Sequence, residues 1–208
     1  MKPHLVIFAR APRRGTVKRR LAADIGTGPA LAFYRRTLHD IVRRLGNDPR
    51  WRTWLAVTPD CEAARRGLWP SAPGVCVIGQ GGGDLGDRMA RSLRTLPPGP
   101  AMVVGSDIPD ITSMHIADGF VALGTHDLVF GPAADGGFWL VGARRRRAVP
   151  VRLFRDVRWS TAHALADTLA GLPGHLHVKL LDELYDVDDG PAWYAWRSRL
   201  DVCEKTVT

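Results

Sequence analysis

The run at residues 101–110, AMVVGSDIPD, restricts the fold more than any other stretch. Met102, Val103 and Val104 read as a buried parallel strand. Gly105 and Ser106 end it with small residues that let a ligand come close, and Asp107 follows. Pro109 has no N–H with which to carry a ladder further. In open α/β sheets, ligands bind outside the carboxyl ends of strands. Asp107 at such a place is either a ligand for a metal or a hydroxyl group, or a cap for the turn and the helix after it.

The rest of the chain alternates in the same way. Strands are predicted at residues 4–8, 53–57, 75–78, 127–131, 138–141 and 177–181. Helices are predicted at 17–24, 29–45, 61–68, 84–96, 114–123, 161–172 and 191–200. The helix at 29–45 has Leu31, Tyr34, Leu38, Ile41, Val42 and Leu45 at spacings of three and four. Ser160 is placed to cap the helix that starts at 161, and Pro191 occupies the first position of the last one. Residues 144–157 read as irregular and basic. With one hairpin-like interruption near 127–142, the pattern predicts an α/β sandwich with a mostly parallel sheet. At 208 residues the chain fits one domain, 1–208. A chain of that length buries roughly 70% of its unfolded surface and needs no staples.

Composition limits the function classes. The net charge of +8 comes mostly from Arg and suits anionic ligands. Apart from Arg144–Arg147 this charge is scattered, with no interleaved aromatics to stack bases, so nucleic acid is not expected as a partner. Cys61, Cys76 and Cys203 lack zinc or CxxC spacing, which predicts reduced thiols and a cytoplasmic setting. No signal peptide is expected at the start of the chain, and no apolar run approaches the ~18 residues of a membrane span.

Four stretches carry chemistry. In residues 9–21, ARAPRRGTVKRRL, a turn at Gly15 leads into a helix start, with Arg10, Arg13, Lys18 and Arg20 nearby. This favours a phosphate cradle over a basic solvated loop. Residues 80–89, QGGGDLGDRM, have the backbone freedom for close approach to a ligand, though alone they read better as a connector. The DGG of residues 133–140, AADGGFWL, is by itself ordinary hairpin chemistry. In residues 184–189, LYDVDD, Asp186 and Asp188 share a side of an extended segment. They form either a solvated loop capping the last helix or a carboxylate pair that needs a cation between them.

Six runs in this order resemble one family: FARAPRRGTVKRRL, QGGGDLGDRM, VVGSDIPDIT, GPAADGGFWLVG, VRWST and LYDVDD. It is the bacterial DUF2064 group, glycosyltransferase-like and related to 2-phospho-L-lactate guanylyltransferase. The resemblance implies a Rossmann-like three-layer α/β/α sandwich of the GT-A, nucleotide-diphospho-sugar transferase type. It implies a transferase that uses a nucleoside triphosphate or nucleotide-sugar, a small-molecule acceptor, and Mg²⁺ or Mn²⁺. Asp107, Asp186 and Asp188 would hold the metal. Lys18 and Arg20 would clamp phosphates and, with Asp107, form the catalytic set. Ala9, Arg10, Ala11, Gly15, Gln80, Gly81 and Ser106 would complete the nucleotide site, and Asp135, Gly136 and Gly137 would border the acceptor. Arg19 stands where the family usually has Thr or Ser, and Phe138-Trp139 where it commonly has tyrosines. The alternative is a non-catalytic nucleotide-binding or regulatory module of the same fold.

Overall fold

The computed structural model describes residues 1–65, 67–150 and 153–205, the last five by backbone alone. The chain opens with β1 (His4–Arg10), α1 (Arg19–Ile25), α2 (Thr27–Gly46) and β2 (Arg52–Thr58). A short 3-10 turn, Asp60–Glu62, precedes β3 (Cys76–Gly79), α3 (Leu85–Thr95), β4 (Ala101–Val104) and α4 (Ser113–Ala122). A hairpin of β5 (Leu128–Pro132) and β6 (Phe138–Ala143) leads to α5 (Ala164–Ala170), β7 (Val178–Leu180) and α6 (Gly190–Lys205).

The strands make one sheet in the order β3-β2-β1-β4-β6-β5-β7. Strand β1 lies parallel to β2 and β4, β2 to β3, and β5 to β7, whereas β6 is antiparallel to β4 and β5. This is the mixed, mostly parallel α/β sheet that the alternation of runs predicts. Helices cover both faces, so central strands are apolar at every position instead of alternately. In β1, Leu5, Ile7 and Ala9 face the layer of α2 and α4, with Tyr34, Leu38, Ile41 and Ile116. Val6 and Phe8 face the layer of α3 and α5, with Met89, Leu93, Leu165 and Leu169.

Several boundaries differ from the sequence reading for local physical reasons. The described residues of the stretch 61–68, which are 61–65, 67 and 68, form only the 3-10 turn and further turns. Side-chain ties replace a helical ladder there: Glu62 is buried against Arg13 and Arg65, and its carbonyl accepts from the Trp69 indole at 2.8 Å. Helix α5 starts at Ala164, and Ser160 does not cap it. Ser160 has a left-handed φ of 60°, and the Thr161 hydroxyl turns back to donate to the Arg158 carbonyl at 2.7 Å. Of the basic run, Arg145 donates to the carbonyls of Pro97 and Gly99, bracing a turn. Residues 151 and 152 of the irregular stretch, and the side chain of Cys203, lie outside the described residues. Cys61 and Cys76 are free thiols. No described helix is long and apolar enough to cross a membrane.

Close packing of the hairpin yields a stability test. A Cβ on Gly131 would collide with the ring of Trp139. That ring is buried, and its N–H donates to the Asp182 carbonyl at 3.1 Å, so it cannot swing aside. Gly131→Ala is expected to lower the urea midpoint at unchanged m-value, a loss of about 1–3 kcal/mol typical of overpacking. A midpoint equal to that of the wild type would contradict this packing.

Candidate functional site

The topology puts the carboxyl ends of β1 and β4 side by side in the middle of the sheet. Chain connections depart in different directions there, which opens a crevice. Two contiguous clefts occupy it, of about 490 and 330 Å³. The first is walled by the segment after β1. The second lies over β4 and the hairpin. Phe8, Arg20, Ser106, Asp107, Ser160 and Asp188 line both.

Lys18 sits at the junction. Its side chain is 3% exposed, and its ammonium lies 2.8 Å from Asp107 Oδ1 and 2.6 Å from Asp188 Oδ1. Arg20 reaches the other oxygen of Asp188 at 2.9 Å. Burial works against the Lys18 charge, but the two carboxylates overcome it and hold the lysine above its ordinary range. Burial likewise opposes ionisation of Asp188, and Lys18 and Arg20 pull its carboxyl below the ordinary range. Asp186 goes the other way. Burial, then the charges of Asp188 and Asp135, push its carboxyl up to about 6.

The capping half of both alternatives is answered by other residues. Helix α4 is capped by Thr112, whose hydroxyl accepts from His115 N–H at 3.3 Å, so Asp107 is free for Lys18. At the start of α6, Asp189 accepts from Ala192 N–H at 2.9 Å, which frees Asp186 and Asp188. Val187 between them is buried and its N–H donates to the Asp107 carbonyl at 3.2 Å. The DVD segment is thereby tied to the end of β4 with both carboxylates at the cleft wall.

The loop after β1 is held rigid by groups that a periodicity argument does not reveal. The Tyr34 hydroxyl accepts from Arg10 N–H at 2.8 Å and donates to the Arg10 carbonyl at 2.9 Å. Burial, then the charge of Asp107, pushes its phenol up to about 12. The Gln80 amide donates to the carbonyls of Ala9 and Ala56 at 3.1 and 2.9 Å. Ala9, Arg10, Gln80 and Ser106 line the larger cleft, together with Arg19 and Arg88. Ala11, Gly15 and Gly81 are not in its wall. Ala11 is buried, and Gly81 N–H is bound by the Asp60 carboxylate at 3.0 Å. In the DGG turn, Asp135 and Gly137 line the smaller cleft and Gly136 does not. Gly136 has φ +85° and packs against the backbone of Ala162, so its place is set by the turn. Phe138 faces the smaller cleft; Trp139 reaches it too, but its N–H is spent on Asp182.

Trp159, Ser160 and Thr161 also wall the smaller cleft. Sequence periodicity assigned Ser160 and Thr161 to a helix and its cap. Lys18 and Ser160 are non-glycine residues with positive φ, 49° and 60°, and both face the larger cleft. Such strain gathers at functional sites.

Among the described residues, no three His, Cys, Asp or Glu side chains converge tightly enough to hold a metal ion unaided. The available donors are carboxylate oxygens, the hard ligands that Mg²⁺ and Mn²⁺ take. Mg²⁺ usually binds through one or two carboxylates completed by substrate phosphates and water. The charge repulsion at Asp186 is what a cation would relieve. The donor set therefore fits such an ion.

The fold is of the nucleotide-diphospho-sugar transferase type. The chain belongs to the DUF2064 family, described as an uncharacterized protein conserved in bacteria, whose model matches residues 41–161. Among solved structures it is similar to a candidate nucleotide-diphospho-sugar transferase from Desulfovibrio desulfuricans G20. The identity is 26%, with 91% of this chain and 84% of that one covered at a TM-score of 0.82. It is also similar to 4-diphosphocytidyl-2C-methyl-D-erythritol synthase from Anaerococcus prevotii DSM 20548, at 9% identity, 96% of each chain and TM-score 0.63. A third is CMP:2-keto-3-deoxy-manno-octonic acid synthetase complexed with CTP, at 13% identity, 98% and 100% coverage and TM-score 0.58. These last two likenesses are of fold. No curated protein matches the chain.

The Trp159-Ser160-Thr161 wall is fastened by an ion pair that can be measured. The Arg158 guanidinium and backbone N–H bind the Asp167 carboxylate at 2.8, 2.9 and 3.1 Å. These bonds hold the Asp167 carboxyl down to about 2, from an ordinary 3.8. A depressed carboxyl stabilises fully above its unfolded value and loses that contribution as pH falls through the folded one. The tie therefore holds at neutral pH and lets go between the two values. NMR titration is expected to find Asp167 near 2 in the wild type and moved towards 3.8 in Arg158→Ala; equal midpoints would contradict the tie.

Proposed function

We propose that the chain is a transferase that takes a nucleoside triphosphate or a nucleotide-sugar as donor and works with Mg²⁺ or Mn²⁺. The observation that carries this reading is the buried Lys18 ammonium bridging Asp107 and Asp188 at the strand ends, beside Asp186 and Arg20. A lysine and an arginine aimed into a crevice are a phosphate clamp, and the carboxylates next to them suit the cation that accompanies phosphates. The likeness to the Desulfovibrio protein and to the fold of the cytidylyl- and CMP-transferring enzymes supports the same class.

The larger cleft is the donor side. Its wall is basic, with Arg10, Lys18, Arg19, Arg20 and Arg88. The loop held by Tyr34 and Gln80 gives the nucleotide a fixed floor. Asp107, Asp186 and Asp188 would hold the cation, which when bound neutralises charge on donor phosphates. Lys18 and Arg20 stabilise the same charge as the bond to the leaving group breaks, and they need no protein nucleophile for it. Lys18 can turn from its carboxylates towards phosphate oxygens without leaving the cleft, since it already lines it.

Two reactions fit such a centre. In glycosyl transfer an acceptor oxygen bonds to the sugar's anomeric carbon. The nucleoside diphosphate leaves with the bonding electrons, and the acceptor proton goes to a facing carboxylate. In nucleotidyl transfer an anionic acceptor bonds to the α-phosphorus, and pyrophosphate leaves. A non-catalytic nucleotide-binding module is the second reading, favoured by Lys18 already filling the gap between two of the expected metal ligands.

A thermal-shift panel of nucleoside triphosphates and nucleotide-sugars, with and without Mn²⁺, tests the class. A true donor at a hundred times its dissociation constant adds about 2.7 kcal/mol of stability. One base is expected to give a metal-dependent shift. With that donor, Asp107→Asn is expected to cut product formation at least about 10-fold, since even an outer partner of a metal ligand is worth about 10–100-fold. An unchanged rate would remove the metal role, and binding without turnover in the wild type would favour the module.

A further inference from the structure

The smaller cleft differs in character from its neighbour, and that difference speaks to the acceptor. Four carboxylates line it, Asp107, Asp135, Asp186 and Asp188, against one cation, Arg20. Arg20 is already on Asp188 at 2.9 Å. Lys18, Arg20 and a divalent cation together only balance these four carboxylates, so no positive charge is left for a second anion. Three of the basic residues near this wall in sequence are committed elsewhere. Arg158 is bound to Asp167, Arg155 lies 3.4 Å from Asp156, and Arg145 holds main-chain carbonyls.

Aromatic rings line the cleft as well. Phe138 and Trp159 meet edge to face with centroids 6.2 Å apart, and Phe154 stacks behind Phe138. Such rings accept the apolar face of another ring. Ser160, with its left-handed φ, lines the same cleft.

We propose that this cleft binds an uncharged acceptor that carries a hydroxyl group and a ring with an apolar face, and that it rejects phosphorylated acceptors. The proposal rests on the reading of the larger cleft as the donor side. It selects glycosyl transfer from the two reactions, because the nucleotidyl route needs an anion where the wall is acidic. The acceptor hydroxyl oxygen bonds to the anomeric carbon. The bond from that carbon to the phosphate oxygen breaks, its electron pair leaves with the nucleoside diphosphate, and the hydroxyl proton passes to Asp135.

The test uses the full chain with no nucleotide and two matched probes, phenyl β-D-glucoside and phenyl phosphate, their binding followed by NMR of the Trp159 indole N–H, which belongs to the smaller cleft and not to the larger one. The glucoside is expected to bind at least about tenfold more tightly, because like-charge juxtaposition is strongly penalised. Asp135→Asn keeps the oxygen that accepts from Gly137 N–H at 2.8 Å, so the turn survives. In that variant the preference is expected to narrow at least about threefold as one repelling charge is removed. Phenyl phosphate binding as tightly as the glucoside, neither probe binding, or a preference unchanged in Asp135→Asn would each overturn the proposal. The nucleotide panel is read separately, so a failure of the donor reading shows there and not in these probes.

Discussion

A buried ammonium with two carboxylates on it organises this protein. Lys18 and Asp188 are 170 residues apart in sequence, and their contact closes the chain around the carboxyl ends of β1 and β4. An unpaired charge at a site so little exposed costs several kcal/mol, so the lysine is stable there only while Asp107 and Asp188 face it. The three segments that carry these residues must therefore be in place together. The left-handed backbone of Lys18 is part of that arrangement; a helical φ at this position would aim the side chain elsewhere.

Around that centre the charge is divided. Arginines crowd the side bounded by the loop after β1, and aspartates crowd the side bounded by the hairpin. On the proposed reading, a nucleotide would meet the first side by its phosphates, and an uncharged ring the second by its apolar face. The sheet makes this division possible: β6 enters antiparallel beside β4, so the hairpin turn with Asp135 rises at the same end as Asp107.

Strands, their order of appearance and the layers follow directly from short apolar runs alternating with amphipathic ones, and the observed sheet agrees with them. The same reading singled out Asp107, Asp186 and Asp188, and the basic loop with Lys18 and Arg20, while leaving a structural use open for each, and the fold brings these residues together. It could not decide between capping and ligation, which depends on Thr112 and Asp189 taking the caps. Tyr34 reads as one more member of a buried stripe; only the fold shows its hydroxyl reaching Arg10. Ser160 has the composition of a helix cap and the backbone of a strained loop residue. Its role is set by Arg158, Thr161 and Asp167, whose hydrogen bonds are tertiary detail. Gly15 and Gly81 drew attention for their freedom, and the fold uses that freedom for turns away from the cleft wall.

The central claim is that Asp186 and its neighbours hold a cation only when donor phosphates complete the site. Electron paramagnetic resonance of Mn²⁺ titrated into the full chain, with and without the nucleotide that stabilises it most, tests this directly. The account predicts one nucleotide-dependent Mn²⁺ site in the wild type, lost in Asp186→Asn while the nucleotide still binds. No uptake of Mn²⁺ with nucleotide present, or the same uptake in the variant, would contradict it.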